Sequence, residues 1–90
     1  MDRIIDSTMR KARKSHNCNA CHFLFEADYR RIGATIAEYR AIAKALADKG
    51  KILPGEAYEE VFCEFDGEVF TYRHKPEIDQ ICKKYDLYSN

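Results

Sequence analysis

The 90-residue chain has no apolar run longer than three residues, of which Phe23-Leu24-Phe25 is one. This excludes a membrane-spanning helix, which needs about 20 apolar residues in succession. It also leaves no hydrophobic segment for a signal peptide, and Asp2 and Asp6 put acids where such a segment carries only positive charge. The expectation is a protein that stays in a reducing cytoplasm and has no membrane partner. Net charge is missing too: 15 basic side chains balance 15 acidic ones, so no global field draws in polyions. No internal repeat, linker or low-complexity stretch divides the chain. Residues 1–90 read as one domain, large enough for a core but marginal without an added staple. No Gly-rich phosphate loop, Ser/His/Asp order or catalytic carboxylate pair stands out, which points away from an enzyme and from a small-molecule substrate.

What is present starts with four cysteines, Cys18, Cys21, Cys63 and Cys82. In a reducing compartment these are thiols or metal ligands rather than two disulfides. The pentapeptide Cys18-Asn19-Ala20-Cys21-His22 admits three chemistries: half a zinc site, a redox dithiol, or a c-type haem attachment point with His22 as proximal ligand. Haem wants a distal ligand, and both methionines, Met1 and Met9, precede the motif, leaving His74 as the substitute. A thioredoxin-type dithiol follows a strand and opens a helix, whereas the basic stretch Lys14-Ser15-His16-Asn17 precedes this one. Zinc is the favoured reading.

Charge is segregated along the chain. Residues 1–22 set Arg3, Arg10, Lys11, Arg13 and Lys14 against Asp2 and Asp6, a net of +3. Residues 51–70 set Lys51 against Glu56, Glu59, Glu60, Glu64, Asp66 and Glu68, a net of −5. The N-terminal arm suits phosphate, which an acidic hairpin would repel.

Apolar spacing predicts an amphipathic helix over 2–14 (Ile4, Ile5, Met9, Ala12) and a loop over 15–19. A second helix is expected from an Asp28 N-cap to a Gly50 C-cap, with the stripe Ile32, Ile36, Tyr39, Ala43 and Leu46 widened by Ile42 and Ala45. Leu53-Pro54-Gly55 reads as a tight turn. Val61–Phe65 and Glu68–Tyr72 flank Asp66-Gly67, a two-residue hairpin signal. Pairing across it sets Phe65 opposite Glu68, Cys63 opposite Phe70 and Val61 opposite Tyr72, so Val61, Cys63, Phe65, Phe70 and Tyr72 form the expected core face. Phe62 and Val69 lie on the other face, leaving room for a dimer or partner surface, and Glu59, Glu60 and Glu64 read as solvent face. Pro76 opens a last helix carrying Ile78, Ile81, Cys82 and Tyr85, and 86–90 reads as a frayed tail. The class is α+β: a β-hairpin packed with about three helices.

A Cys-x-x-Cys loop, a hairpin and a following helix are the parts of a treble-clef-like zinc site. The stretch Arg13-Lys14-Ser15-His16-Asn17-Cys18-Asn19-Ala20-Cys21, then Ile52-Leu53-Pro54-Gly55-Glu56-Ala57-Tyr58, Phe65-Asp66-Gly67-Glu68 and Thr71-Tyr72-Arg73-His74, resembles small zinc-finger proteins of phages and mobile elements. The resemblance covers residues 11–25 and 51–85, with the 27–50 helix as an insertion. It implies zinc held by Cys18, Cys21, His74 and Cys82, with His22 or His16 as substitutes. One departure stands out: Glu77 and Ile78 occupy the places where a Cys one turn after His74 is expected. Cys82 lies on the same helical face but about 6 Å further on, at 1.5 Å per residue. As plain structure, Cys63 and Cys82 read as buried small hydrophobes, and His74 as a capping residue.

These features predict a non-enzymatic, zinc-stabilised binding module, a regulator or inhibitor of phage type. Its partner is either nucleic acid, through Arg10, Lys11, Arg13 and Lys14 with Arg30 and Arg31, or a host protein, through the acidic hairpin and Tyr58, Tyr85 and Tyr88. The alternatives are a small zinc-dependent nuclease, with Cys18, Cys21 and His74 on the metal and Glu77 as general base, and a haem electron carrier.

Overall fold

The structure, a computed structural model, describes residues 3–88. The 2–14 helix is not formed. Residues Arg3–Lys11 are strand β1, antiparallel to a strand at Ala57–Phe65; residue 2 lies outside the described residues. A helix of that length is marginal alone, whereas pairing supplies a full ladder and matches charge across it. Arg10 Nε lies 2.8 Å from Glu60 Oε1. A bulge between Ile4 and Asp6 re-phases β1, and Ile4, Ser7 and Met9 then share a face with Cys63, Val61 and Glu59, their partners in register.

The chain continues through β2 (His16–Asn17), helix α1 (Asn19–Glu26), a 3-10 turn (Tyr29–Arg31), helix α2 (Ile36–Ala47), β3 (Lys51–Ile52), β4 (Ala57–Phe65), β5 (Glu68–His74) and helix α3 (Pro76–Lys84). Two antiparallel sheets result, β1-β4-β5 and β2-β3. The α+β class and the count of three helices hold, but α1 replaces the expected first helix. The middle helix is shorter than expected. Asp28 begins only the 3-10 turn, and Thr35 caps α2 with a reciprocal capping box: Thr35 Oγ1 accepts from the Glu38 N–H, and Glu38 Oε1 accepts from the Thr35 N–H. Ile42 and Ala45 are its buried residues, while Ile36 is 74% exposed and Leu46 also faces solvent. The inward stripe is thus the set expected only to widen it. At the far end Lys49 and Gly50 both take positive φ, and the Gly50 N–H donates to Ala45 O at 2.9 Å, a left-handed helix stop.

The core lies where the three helices meet. Leu24, Ile52, Ile78, Cys21 and Cys82 are fully buried there, joined by Ile42, Ala45 and Ile81. The expected tail contributes as well: Leu87 is buried and the Tyr88 ring meets Phe23 edge-on at 5.0 Å. Residues 89–90 lie outside the described residues. The hairpin register is as expected, with the turn at Asp66-Gly67. Its expected core face is buried only at its base, however. Val61 is covered, but Phe65, Phe70 and Tyr72 are exposed beside Ile4, because the helices pack against the sheet's lower end.

Candidate functional site

Three clusters emerge from this frame. The first is the thiol knuckle. Cys18 is the N-cap of α1, and its Sγ accepts the backbone N–H groups of Cys21 and Lys75, both at 3.3 Å. The Cys21 thiol is its hydrogen-bond neighbour, and chiefly for that reason Cys18 is pulled down to about 6 against the opposing effect of burial. The same bond, with burial, pushes Cys21 up. Cys82 donates to Ala20 O at 3.4 Å, and burial pushes it up to about 11. The motif therefore does follow a strand (β2) and open a helix (α1), so the context that the sequence denied to a thioredoxin-type dithiol is present. His22, by contrast, is exposed and pairs with Glu26 at 3.3 Å. Cys18 and Cys21 are both buried in the core.

The second cluster surrounds His74. Cross-strand register places Glu59 directly opposite it, and α3 brings Asp79 up from its first turn. His74 Nε2 lies 2.6 Å from Glu59 Oε1 and 3.6 Å from Asp79 Oδ2. The bond to His74 is the main reason Glu59 is held below the usual carboxylate range. Among the described residues, Glu59, His74 and Asp79 are the one group of three or more potential metal donors whose ligating atoms lie within 4.8 Å of one another. Cys18, Cys21, His74 and Cys82 are thus not gathered around a single point: the thiols sit together in the core, and the imidazole turns to the carboxylates. A closed four-ligand zinc site does not fit this arrangement. Glu77, the nuclease alternative's base, is exposed and lines a separate groove between α2 and α3.

The third cluster is basic. Arg10, Lys11, Arg13 and Lys14 line one open groove of about 970 Å³ together with His16 and Tyr58, whose rings lie 5.2 Å apart. Ala12 organises it. Buried, it exchanges backbone hydrogen bonds of 2.8 Å with Glu56 and Gly55, which leaves Lys11, Arg13 and Lys14 facing water. None of those three makes an ion pair among the described residues, while Arg10 is tied to Glu60. Arg30 and Arg31 are outside this groove; Arg31 pairs with Asp28 at 3.3 Å. Tyr58, expected to be exposed, is buried beneath it.

The acidic hairpin is largely neutralised from within. Glu60 is buried between Arg10 and Arg73, and Glu56 accepts from Lys44 at 2.9 Å. Lys75, wholly buried, places Nζ 2.6 Å from Asp48 Oδ2 and 3.6 Å from Glu56 Oε1. Nothing in the sequence marks Lys75 or Asp79 as interior charges. Glu59, however, was within reach: the Asp66-Gly67 register continued two pairs further sets it against His74.

Comparison of the chain with family models, curated proteins and solved structures returns no match.

Proposed function

We propose that the protein is a small non-enzymatic module that binds the phosphate backbone of nucleic acid through the groove formed by Lys11, Arg13 and Lys14 with Arg10 at its edge. The observation carrying this reading is the convergence of four cations on one open groove beside the His16–Tyr58 ring pair. Unpaired cations at a concave surface supply the salt-dependent, sequence-independent part of nucleic-acid affinity, and His16, the partly exposed ring of the pair, is the one available for a base to stack on. Action as a regulator follows from occupancy rather than chemistry. The test is fluorescence anisotropy with a labelled single-stranded oligonucleotide at low salt. Lys11→Glu/Arg13→Glu should abolish binding that the wild type shows, with the folded circular-dichroism spectrum unchanged. Equal binding by the two proteins would refute the assignment.

A second reading, a protein partner, is favoured by one observation. One face of the outer half of the β1-β4-β5 sheet exposes Ile4, Phe65, Phe70 and Tyr72, an apolar surface of the kind that marks protein contacts.

A further inference from the structure

We propose that Glu59, His74 and Asp79 form a binding site for a first-row divalent transition-metal ion, with one nitrogen and two oxygen donors. The three residues stand on rigid elements: adjacent positions of a strand pair and the first turn of α3. His74 and Asp79 are buried, unlike the acidic clusters common on surfaces.

The hydrogen-bond pattern selects the inner atoms. The outer oxygen of each carboxylate is held by a hydroxyl: Ser7 Oγ donates to Glu59 Oε2 at 3.0 Å and Tyr88 Oη to Asp79 Oδ1 at 2.6 Å. The remaining oxygens, Glu59 Oε1 and Asp79 Oδ2, converge on the same imidazole nitrogen. Nε2 carries at most one proton and cannot donate to both. A divalent cation among the three atoms satisfies both carboxylates and the nitrogen lone pair together, with the two hydroxyls as the outer contacts that orient metal-binding carboxylates.

An open cavity of about 480 Å³, walled by Ile4, Phe23 and Tyr72, reaches these atoms and leaves room for water to complete the coordination. Imidazole with carboxylates favours zinc, manganese, cobalt or iron(II) over calcium or magnesium. Lys83 Nζ stands 3.0 Å from Asp79 Oδ2 on an exposed side chain and is the cation that a metal ion would displace. This site uses none of the cations of the basic groove, so either assignment can fail alone.

The experiment is titration of the EDTA-treated protein with cobalt(II) and zinc(II), followed by absorption and calorimetry. One equivalent should bind with weak visible bands and no sulfur-to-cobalt charge transfer. Glu59→Gln and His74→Gln should each abolish binding, and Cys18→Ser should leave it intact. Tyr88→Phe should weaken it about 10- to 100-fold, whereas Lys83→Met should tighten it by removing the competitor. A cobalt spectrum with thiolate charge transfer that disappears in Cys18→Ser overturns the proposal, as does the absence of stoichiometric binding by the folded protein. Glu59→Gln, which leaves the buried His74 in place, keeps the test decisive if His74→Gln does not fold.

Discussion

Replacing Lys75 with Met removes one buried charge while keeping the length of its unbranched stem, and this isolates the electrostatic part of the fold. Lys75 Nζ joins Asp48, at the end of α2, to Glu56, ahead of β4, from the β5–α3 junction. Lys44 bridges the same two carboxylates from outside, at 2.6 Å and 2.9 Å. Asp48 is accordingly held below the usual carboxylate range, first by Lys44 and then by Lys75. Removing one partner of a buried pair costs about 3–5 kcal/mol, because the other charge is left uncompensated. Here Lys44 remains and both carboxylates touch solvent, so the lower figure of about 3 kcal/mol applies. A 90-residue domain holds roughly 5–13 kcal/mol in all, so the variant should still fold. Its thermal midpoint should drop by about 12–24 °C, at 4–8 °C per kcal/mol. Urea unfolding measures the first and a thermal melt the second, both followed by circular dichroism. Lys44→Met, at an exposed position, should lose no more than about 1 kcal/mol. If Lys75→Met stays within about 0.5 kcal/mol of the wild type, or Lys44→Met proves the more damaging, the buried cation is not what ties these elements together.

Titration of thiolate absorbance should show a midpoint near 6 that disappears in Cys18→Ser; a lowest midpoint above 8 would contradict the N–H and thiol donors assigned to Cys18. Because the folded state favours the thiolate, this group's contribution to stability is complete above the unfolded thiol value of about 8.5 and is lost as pH falls through about 6. Gly50→Ala should cost more than Gly33→Ala. Both have φ +71, but a Cβ at Gly50 would lie 3.0 Å from Phe25 Cε2 while one at Gly33 meets nothing within 4 Å. The shared backbone strain is about 1–2 kcal/mol, so equal losses in urea unfolding would show that the Phe25 contact carries no weight.

The parts of the fold governed by local chemistry were legible. Asp66-Gly67 set the hairpin and its register, Pro54-Gly55 the turn, and Pro76 the start of α3, because each of these residues restricts its own backbone. What depends on a distant partner was not. The spacing of Ile4, Ile5 and Met9 suits a helix, but β1 forms because β4 offers a ladder and opposite charge. Thr35 displaced Asp28 as a cap because Glu38 completes the capping box. The exposed hairpin tip shows the converse: an apolar face in sequence says nothing about whether a layer exists to cover it. In the candidate sites, the four groove cations were visible as a run of charge. Asp79 and Lys75 were hidden because interior charges are set by their partners, which lie far away in the chain.

The salt dependence of oligonucleotide binding tests the central claim most directly. With Lys11, Arg13 and Lys14 as the free cations, and Arg10 as a fourth if it leaves Glu60, log Kobs against log salt should fall with a slope of about −2 to −3 on a single strand, from roughly 0.7 per phosphate neutralised. Lys11→Glu/Arg13→Glu should abolish the binding. A slope near zero, or a steep slope that the double variant leaves unchanged, would contradict a phosphate-binding groove at this end of β1.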